Sequence, residues 1–581
     1  MTRIGDDGRL YIDHFLWTFQ MDFRRNFDYH AEQAFKQIGI AVDPRSMLVG
    51  FDETAQERHP ICVEPEDGPF DSADFEDVMG ASAELYALDE DRNSIVTVEG
   101  QQALSDSRSL DKVRRKALLN VLNASKREGD RRYFIGSSRV INGYRVFPVL
   151  SVLESRWSQI PVLPGFDDRM RIANSFPEEL AYRLVESAAT SLAVGDHPHA
   201  LVTAGPEVSS DLVRLSASAF IDSIPYRLDG MPSDLLVHLD AIAATPYEGR
   251  PAVGRIRFLS QKSQYLPLLQ FGAAVRLSKT RQARKVLEMS DTDHHLVSDG
   301  ERVVGLAQSD LAPDAFEVWF SGRGVWTLVH GGVDLLRSVN GRATLPAPPL
   351  DKSLLLDNYL RLFPEHDESG FESIWVLAQT AAKQEHGTML VIHRRAEEEA
   401  RRLGGQAIPL TAGPLSSDAL AAATSIDGAV LVSPDGSCHA IGVILDGLAG
   451  TAGDAARGAR FNSGIRYASS HRGDCLVIVV SEDGSIESVP QPHRRVTRAF
   501  IRGVLGDVVA ASSGEVDFES FHRLEARAEA HAFYFGESQL DELHAARERV
   551  EDFRWKHSSL RVGSTRLLTN EWMDDSYFMS E

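Results

Sequence analysis

Three short segments near the C-terminal end of the chain hold residues that could handle phosphates and a cation. Asp427-Gly428-Ala429 opens an apolar run, Gly458-Ala459-Arg460 follows the small-residue stretch LDGLAGTAGDAA, and Ser481-Glu482-Asp483-Gly484 closes another apolar run. Carboxylates such as Asp427, Glu482 and Asp483 can hold a divalent cation, and an arginine at a helix start can face phosphate oxygens. A glycine lets another group approach the backbone closely. Taken singly, each segment also reads as turn punctuation between strands.

The elements that must position these segments follow from hydrophobic periodicity. SLLLDNYLRLF and GFESIWVLAQTAAKQ have the spacing of amphipathic helices, and TMLVIHR at 388–394 has the compact apolar content of a buried strand. A charged helix, AEEEARRL, then ends at Gly404-Gly405. DGAVLVSPDGSCHAIGVIL predicts two strands around Pro434-Asp435-Gly436, and CLVIVVSEDGSIESVP repeats that strand–turn–strand form. EARAEAHAFYF and LDELHAARERVEDFRW read as closing helices.

Read together, HGTMLVIHR, GGQAIPL, DGAVLV, GARFNS and VIVVSEDG resemble, in order, the scaffold and active-site segments of the diadenylate cyclase family. The resemblance covers about 370–490 and implies a mixed-sheet α/β domain that condenses two ATP molecules into cyclic di-AMP, with Mg²⁺ or Mn²⁺. It implies that Asp427, Gly428, Ala429 and Arg460 are catalytic, and that Asp427, Glu482 and Asp483 hold the metal. Gly442, Leu445, Gly458, Ala459, Asn462, Ser463, Arg466, Ser481 and Glu482 would contact nucleotide. Because each domain of this family holds half a site, the resemblance also implies face-to-face homodimers or larger homo-oligomers. The chain departs from the family pattern in three places. The Arg-His-Arg triplet is Arg460-Phe461-Asn462, the threonine before it is Ala459, and the histidine before the aspartate is Ile426. Arg466, four residues past Asn462, and His471 and Arg472 beyond it are the residues that could replace the missing cations. A degenerate domain that binds nucleotide without turning it over is the alternative reading.

At 581 residues the chain is too long for one core. The proline-rich LPAPPLDKS at 345–353 is its clearest linker. The expected organisation is a mixed α/β domain over 1–150, a sensor-like α/β region over 151–345, the cyclase-like domain over 350–500 and a helical extension over 501–581. RYFIGSS and YRVFPVLSVL read as strands, PEELAYRLVESAATSLAV as a helix, and RIRFLS, AVRLS, HHLVSD, RVVGLAQS and FEVWFS as further strands. The basic run RLSKTRQARKVLE reads as the exposed face of a helix that buries Val286 and Leu287. His294-His295, with Asp291 and Asp293 nearby, reads as a solvated loop more readily than as a metal site. The signal that such a region would sense is not written in the sequence. A net charge of −23 argues against broad nucleic-acid binding. Three cysteines without a CxxC pair, no apolar run of about 20 residues and no signal-peptide pattern predict a cytoplasmic protein without a membrane segment.

Overall fold

A computed structural model describes residues 2–4, 10–12, 20–53, 60–65, 68–88, 101–125, 130–165, 172–192, 206–231, 233–260, 265–308, 315–346, 351–382, 384, 387–447, 459–480, 486–490, 493–514, 516–558 and 566–579. The chain is mixed α/β and divides into two compact units, Met1–Leu345 and Pro346–Glu581. Among the described residues no helix is long and apolar enough to cross a membrane.

The first unit is built on two large sheets, beside a two-stranded pair of Thr2–Ile4 and Leu10–Ile12. In the first, Arg45–Asp52 lies between Ile61–Glu64 and Tyr144–Leu153, and Arg131–Ile135 and Arg139–Ile141 also pair with Tyr144–Leu153, all antiparallel. Alternate residues of Arg45–Asp52 face opposite ways, as the two-residue strand period requires. Leu48 joins a core with Phe23, Phe27, Leu180 and Phe220, while Val49 and Phe51 pack with Val78, Leu118 and Leu122. An eight-stranded sheet follows, containing the five expected strands and three more, Val325–His330, Val333–Val339 and Arg342–Thr344. One hydrophobic cluster runs from Phe23 to Ala343 and serves both sheets. The hairpin expected at Asp299-Gly300 forms, with Gly300 at φ +97°.

Helix Thr280–Leu287 buries Leu287 but leaves Val286 only half-buried, and its Arg284 is fully buried rather than on a solvated face. Its guanidinium donates to the carbonyls of Thr245, Arg250 and Pro251, so the charge is carried inward by backbone acceptors. His294 is bonded by Asp291 at 3.0 Å, whereas His295 lies buried on its strand.

The second unit holds a six-stranded sheet. Its strands are β1 (Thr388–His393), β2 (Ile408–Pro414), β3 (Ala429–Val432), β4 (Ser437–Val443), β5 (Cys475–Val480) and β6 (Ile486–Val489). They lie in the order β2-β4-β3-β1-β5-β6, with β1 and β3 parallel and the other neighbours antiparallel. Every residue of β1, β3 and β5 is buried, which accounts for their near-continuous apolar sequence. Helices α1 (Lys352–Leu362) and α2 (Glu368–Ala382) pack with Leu390, Val430 and Ile478 on one face. Helices α3 (Ala396–Arg402) and α5 (Ala459–Ser470) pack with Met389, Leu431 and Val477 on the other, and the short α4 (Ser417–Ala423) precedes β3. Cys438 and Cys475 are free and buried within these two cores.

Beyond β6, helices Arg498–Ala511, Phe518–Ala530 and Glu537–Ser558 form a core of their own, around Val504, Phe521, Leu543 and Tyr577. Because Leu390 is central to the α1–α2 face and 1% exposed, Leu390→Ala removes methyl groups from a closed core. It is expected to cost about 2–5 kcal/mol, seen as a lower denaturant midpoint at an unchanged slope.

Candidate functional site

The candidate residues gather at one edge of the β1–β6 sheet. The parallel register sets Met389 beside Ala429, and the antiparallel register sets Thr388 beside Val480. The start of β1, the start of β3 and the end of β5 therefore share that edge. Asp427 stands there two residues ahead of Ala429, with its side chain 85% exposed. Ser481, Glu482 and Asp483 continue the chain from β5, and Gly458 precedes α5. All four lie outside the described residues.

A close backbone contact fixes how Asp427 leaves the sheet. Gly428 has φ +112°, and a methyl group on it would come 2.5 Å from the carbonyl carbon of Gly442. Gly442 itself has φ +61°. Ala429 pairs with Val443 and Leu431 with Ala440, so β4 carries one more residue than β3 over that interval, as a β-bulge requires. The sequence suggested that Gly428 makes room for a ligand; in the fold its missing side chain makes room for the neighbouring strand. Ala429 is fully buried, and Leu445 packs half-buried against the same core.

Arg460, in the first turn of α5, reaches this edge and approaches Asp427 with Nη2 3.4 Å from Oδ1. The contact is long and partly exposed, so it holds the two groups near each other without locking them. Ala459, Asn462 and Ser463 lie in the same first turns, and Arg466 is exposed one turn further along. Gly464 faces inward, where an added Cβ would meet Val477, Val479 and Met389 at 3.3–3.5 Å.

The middle residue of the altered triplet and the expected replacement cations take definite places. Phe461 is buried in the core beneath α5, with Trp572 packed against the same cluster. A cavity of about 160 Å³ beside it is walled by Phe461, Ile465, Phe533 and Trp572 among others, and its lining does not include Asp427 or Arg460. Arg472 donates to Glu571 and stacks over Trp572 at 5.1 Å. His471 lies against Tyr467, with ring centroids 4.3 Å apart, and faces Glu399. Neither His471 nor Arg472 is presented at the Asp427 edge, because helix α5 has ended before both. Of the three replacement cations, Arg466 alone remains on the exposed face of α5.

Sequence reasoning passed over one feature of this domain, a buried group formed by His393, Glu399 and His471. Its members are spread over 79 positions, and no local spacing links them.

Residues 16–221 match a family described as probable sensor domain DACNG, and residues 233–332 one described as probable sensor domain DACNH. Residues 377–492 match the DAC family, described as DisA bacterial checkpoint controller nucleotide-binding. None of the curated proteins matches the chain. Among solved structures, a double mutant of DacA from Staphylococcus aureus is 19% identical, over 21% of this chain and 81% of that one. Its TM-score of 0.18 is too low to carry an argument.

The glycine contact gives a direct test. Gly428→Ala is expected to lose about 1–3 kcal/mol from backbone strain alone, with the steric overlap adding to it. Gly405→Ala, where nothing lies within 4 Å, should stay within about 0.5 kcal/mol of wild type in the same melting experiment. By these family matches the chain carries a DAC-family domain over residues 377–492, following domains of two families described as probable sensors.

Proposed function

We propose that the DAC domain condenses two ATP molecules into cyclic di-AMP, releasing two pyrophosphates, and that the N-terminal sensor-type domains regulate it. The observation that carries this reading is the meeting of Asp427 and Arg460 at the sheet edge where β1 and β3 start. In each half-reaction the 3′-hydroxyl of one ATP attacks the α-phosphate of the other, and pyrophosphate leaves. Asp427 orients the attacking hydroxyl, and Arg460 neutralises charge on the phosphates. Ala459, Asn462, Ser463 and the backbone around Gly442 and Leu445 border the nucleotide, with Gly458, Ser481 and Glu482 completing that border. Arg466 supplies the second cation in place of the absent arginine. Two chains meet face to face, so an isolated protomer is inactive.

Asp427 also suits a hard cation. Its carboxylate offers oxygen donors, is largely exposed, and among the described residues has Arg460 as its side-chain partner. Mg²⁺ or Mn²⁺ held there, with Glu482 or Asp483 as a further ligand, would polarise the phosphate and offset its charge. The rest of the work falls to this chain's own groups: Asp427 aligns the hydroxyl, and Arg460 holds the phosphates in line.

One observation favours a second reading, a nucleotide-sensing module without turnover. Phe461 occupies the middle of the altered triplet and is packed inward, so that position offers no polar group to a phosphate. Incubation of the full-length protein with ATP and Mn²⁺ or Mg²⁺, followed by mass spectrometry, separates the two. Under the first reading wild type forms cyclic di-AMP, and Asp427→Asn loses about 100-fold or more of that rate. Arg472→Ala should leave turnover unchanged, since its guanidinium is engaged by Glu571 and Trp572. Bound ATP with no product under any of these metals would select the sensing module.

A further inference from the structure

The strands that bring Asp427 to one edge of the sheet bring a second chemical group to the other. His393 ends β1, Glu399 lies in α3, and His471 directly follows α5; each offers one ligand atom, and these lie within 4.8 Å of one another. His393 is 1% exposed and Glu399 6%, while His471 is half-buried and gives the group its opening toward solvent.

The surrounding hydrogen bonds decide which atoms are free. Nδ1 of His471 lies 2.9 Å from the Tyr467 carbonyl, which can only accept, so this nitrogen carries the proton. The lone pair is thereby left on Nε2, 3.5 Å from Oε1 of Glu399. That separation is near the edge of a tetrahedron with metal–ligand bonds of about 2.0–2.1 Å. A carbonyl that fixes the far nitrogen is the support metal-ligating histidines usually have. Nε2 of His393 is buried with no hydrogen-bond partner, while its Nδ1 accepts from the Arg395 amide at 3.0 Å. The Tyr467 hydroxyl and Arg402 both donate to Glu399, and Arg402 also binds Asp446. Two carboxylates thus stand against one guanidinium, and the site has room for positive charge.

We propose that His393, Glu399 and His471 bind a divalent transition-metal cation of the zinc class, a clamp joining β1, α3 and the end of α5. Two imidazole nitrogens and one carboxylate oxygen suit Zn²⁺ or Co²⁺ better than Mg²⁺, so this site differs in kind from Asp427. On loading, the ring proton of His393 moves from Nε2 to Nδ1, and the Arg395 amide loses its acceptor. One part-buried hydrogen bond is a small loss beside three metal–ligand bonds. The clamp grips α5 about 16 Å along the helix from Arg460, at 1.5 Å per residue. It therefore steadies the helix that carries Arg460 without touching the Asp427 edge.

The test uses full-length protein stripped with a chelator and titrated with Co²⁺, read by visible d–d absorption and by thermal melting. The expected result is a tetrahedral-type band at one Co²⁺ per chain, bleached by Zn²⁺ and accompanied by a higher melting temperature. Asp427→Asn should keep the band, which separates this site from the proposed nucleotide site. Glu399→Gln, which preserves shape, and the less buried His471→Ala should each weaken Co²⁺ about 10-fold or more, with far-ultraviolet circular dichroism confirming that both fold. No band in wild type, a band lost in Asp427→Asn, or a band unchanged in both ligand variants would overturn the proposal.

Discussion

The contact between Gly428 and Gly442 is the constraint on which the C-terminal unit depends. The two strands can come this close because Gly428 carries no Cβ, and both Gly428 and Gly442 sit at positive φ, where glycine is favoured. The bulge it creates in β4 ends regular pairing just before β3, and Asp427 leaves the sheet there with its carboxylate in solvent. Shift the bulge by one residue, and the alternation of β4 would turn over, exchanging buried and exposed side chains. Position and packing are therefore fixed by the same contact.

Helix α5 is the second member of that arrangement. It sets Arg460 against Asp427 at one end, and lays Phe461, Gly464, Tyr467 and Ala468 on β1 and β5 along its length. At its far end Tyr467 and His471 stack and meet Glu399. The altered Arg-Phe-Asn triplet makes physical sense in this setting. Phe461 contributes apolar area beneath the helix, beside a C-terminal segment whose Trp572 packs on the same core and is held by Arg472. Burial of an aromatic side chain of that size contributes about 2–3 kcal/mol that a polar residue would forgo. The departure from the motif therefore has a packing reason, whatever its effect on turnover.

The first unit follows a different logic. Its strand Arg45–Asp52 feeds two cores, one on each face, and a single apolar cluster extends from the first sheet into the second. Arg284 shows how such a core tolerates charge: three backbone carbonyls take its donors, and Glu288 lies 2.7 Å away. This is a scaffold of paired sheets with interior polar anchors, matched by two families described as sensors.

Much of the second unit was legible from sequence because its information is local. Runs such as TMLVIH, AVLV and CLVIVV are apolar throughout because those strands are covered on both faces, and Pro434-Asp435-Gly436 marks a turn by backbone preference alone. The order of DGA, GAR and SEDG along the chain was likewise enough to suggest which residues belong together. Less was legible in the first unit, where three of the eight strands in the larger sheet were passed over and a buried arginine was read as exposed. The carbonyl partners that hold Arg284 inside lie 33 to 39 positions away along the chain, where no local pattern reports them. Tertiary structure alone decided that Gly428 serves the sheet, that Phe461 is core, that His471 and Arg472 turn away from Asp427, and that His393, Glu399 and His471 converge. Each depends on a contact between residues far apart in the chain. Periodicity reports which way a side chain faces within its own element, but the partner it meets is set by how the elements pack.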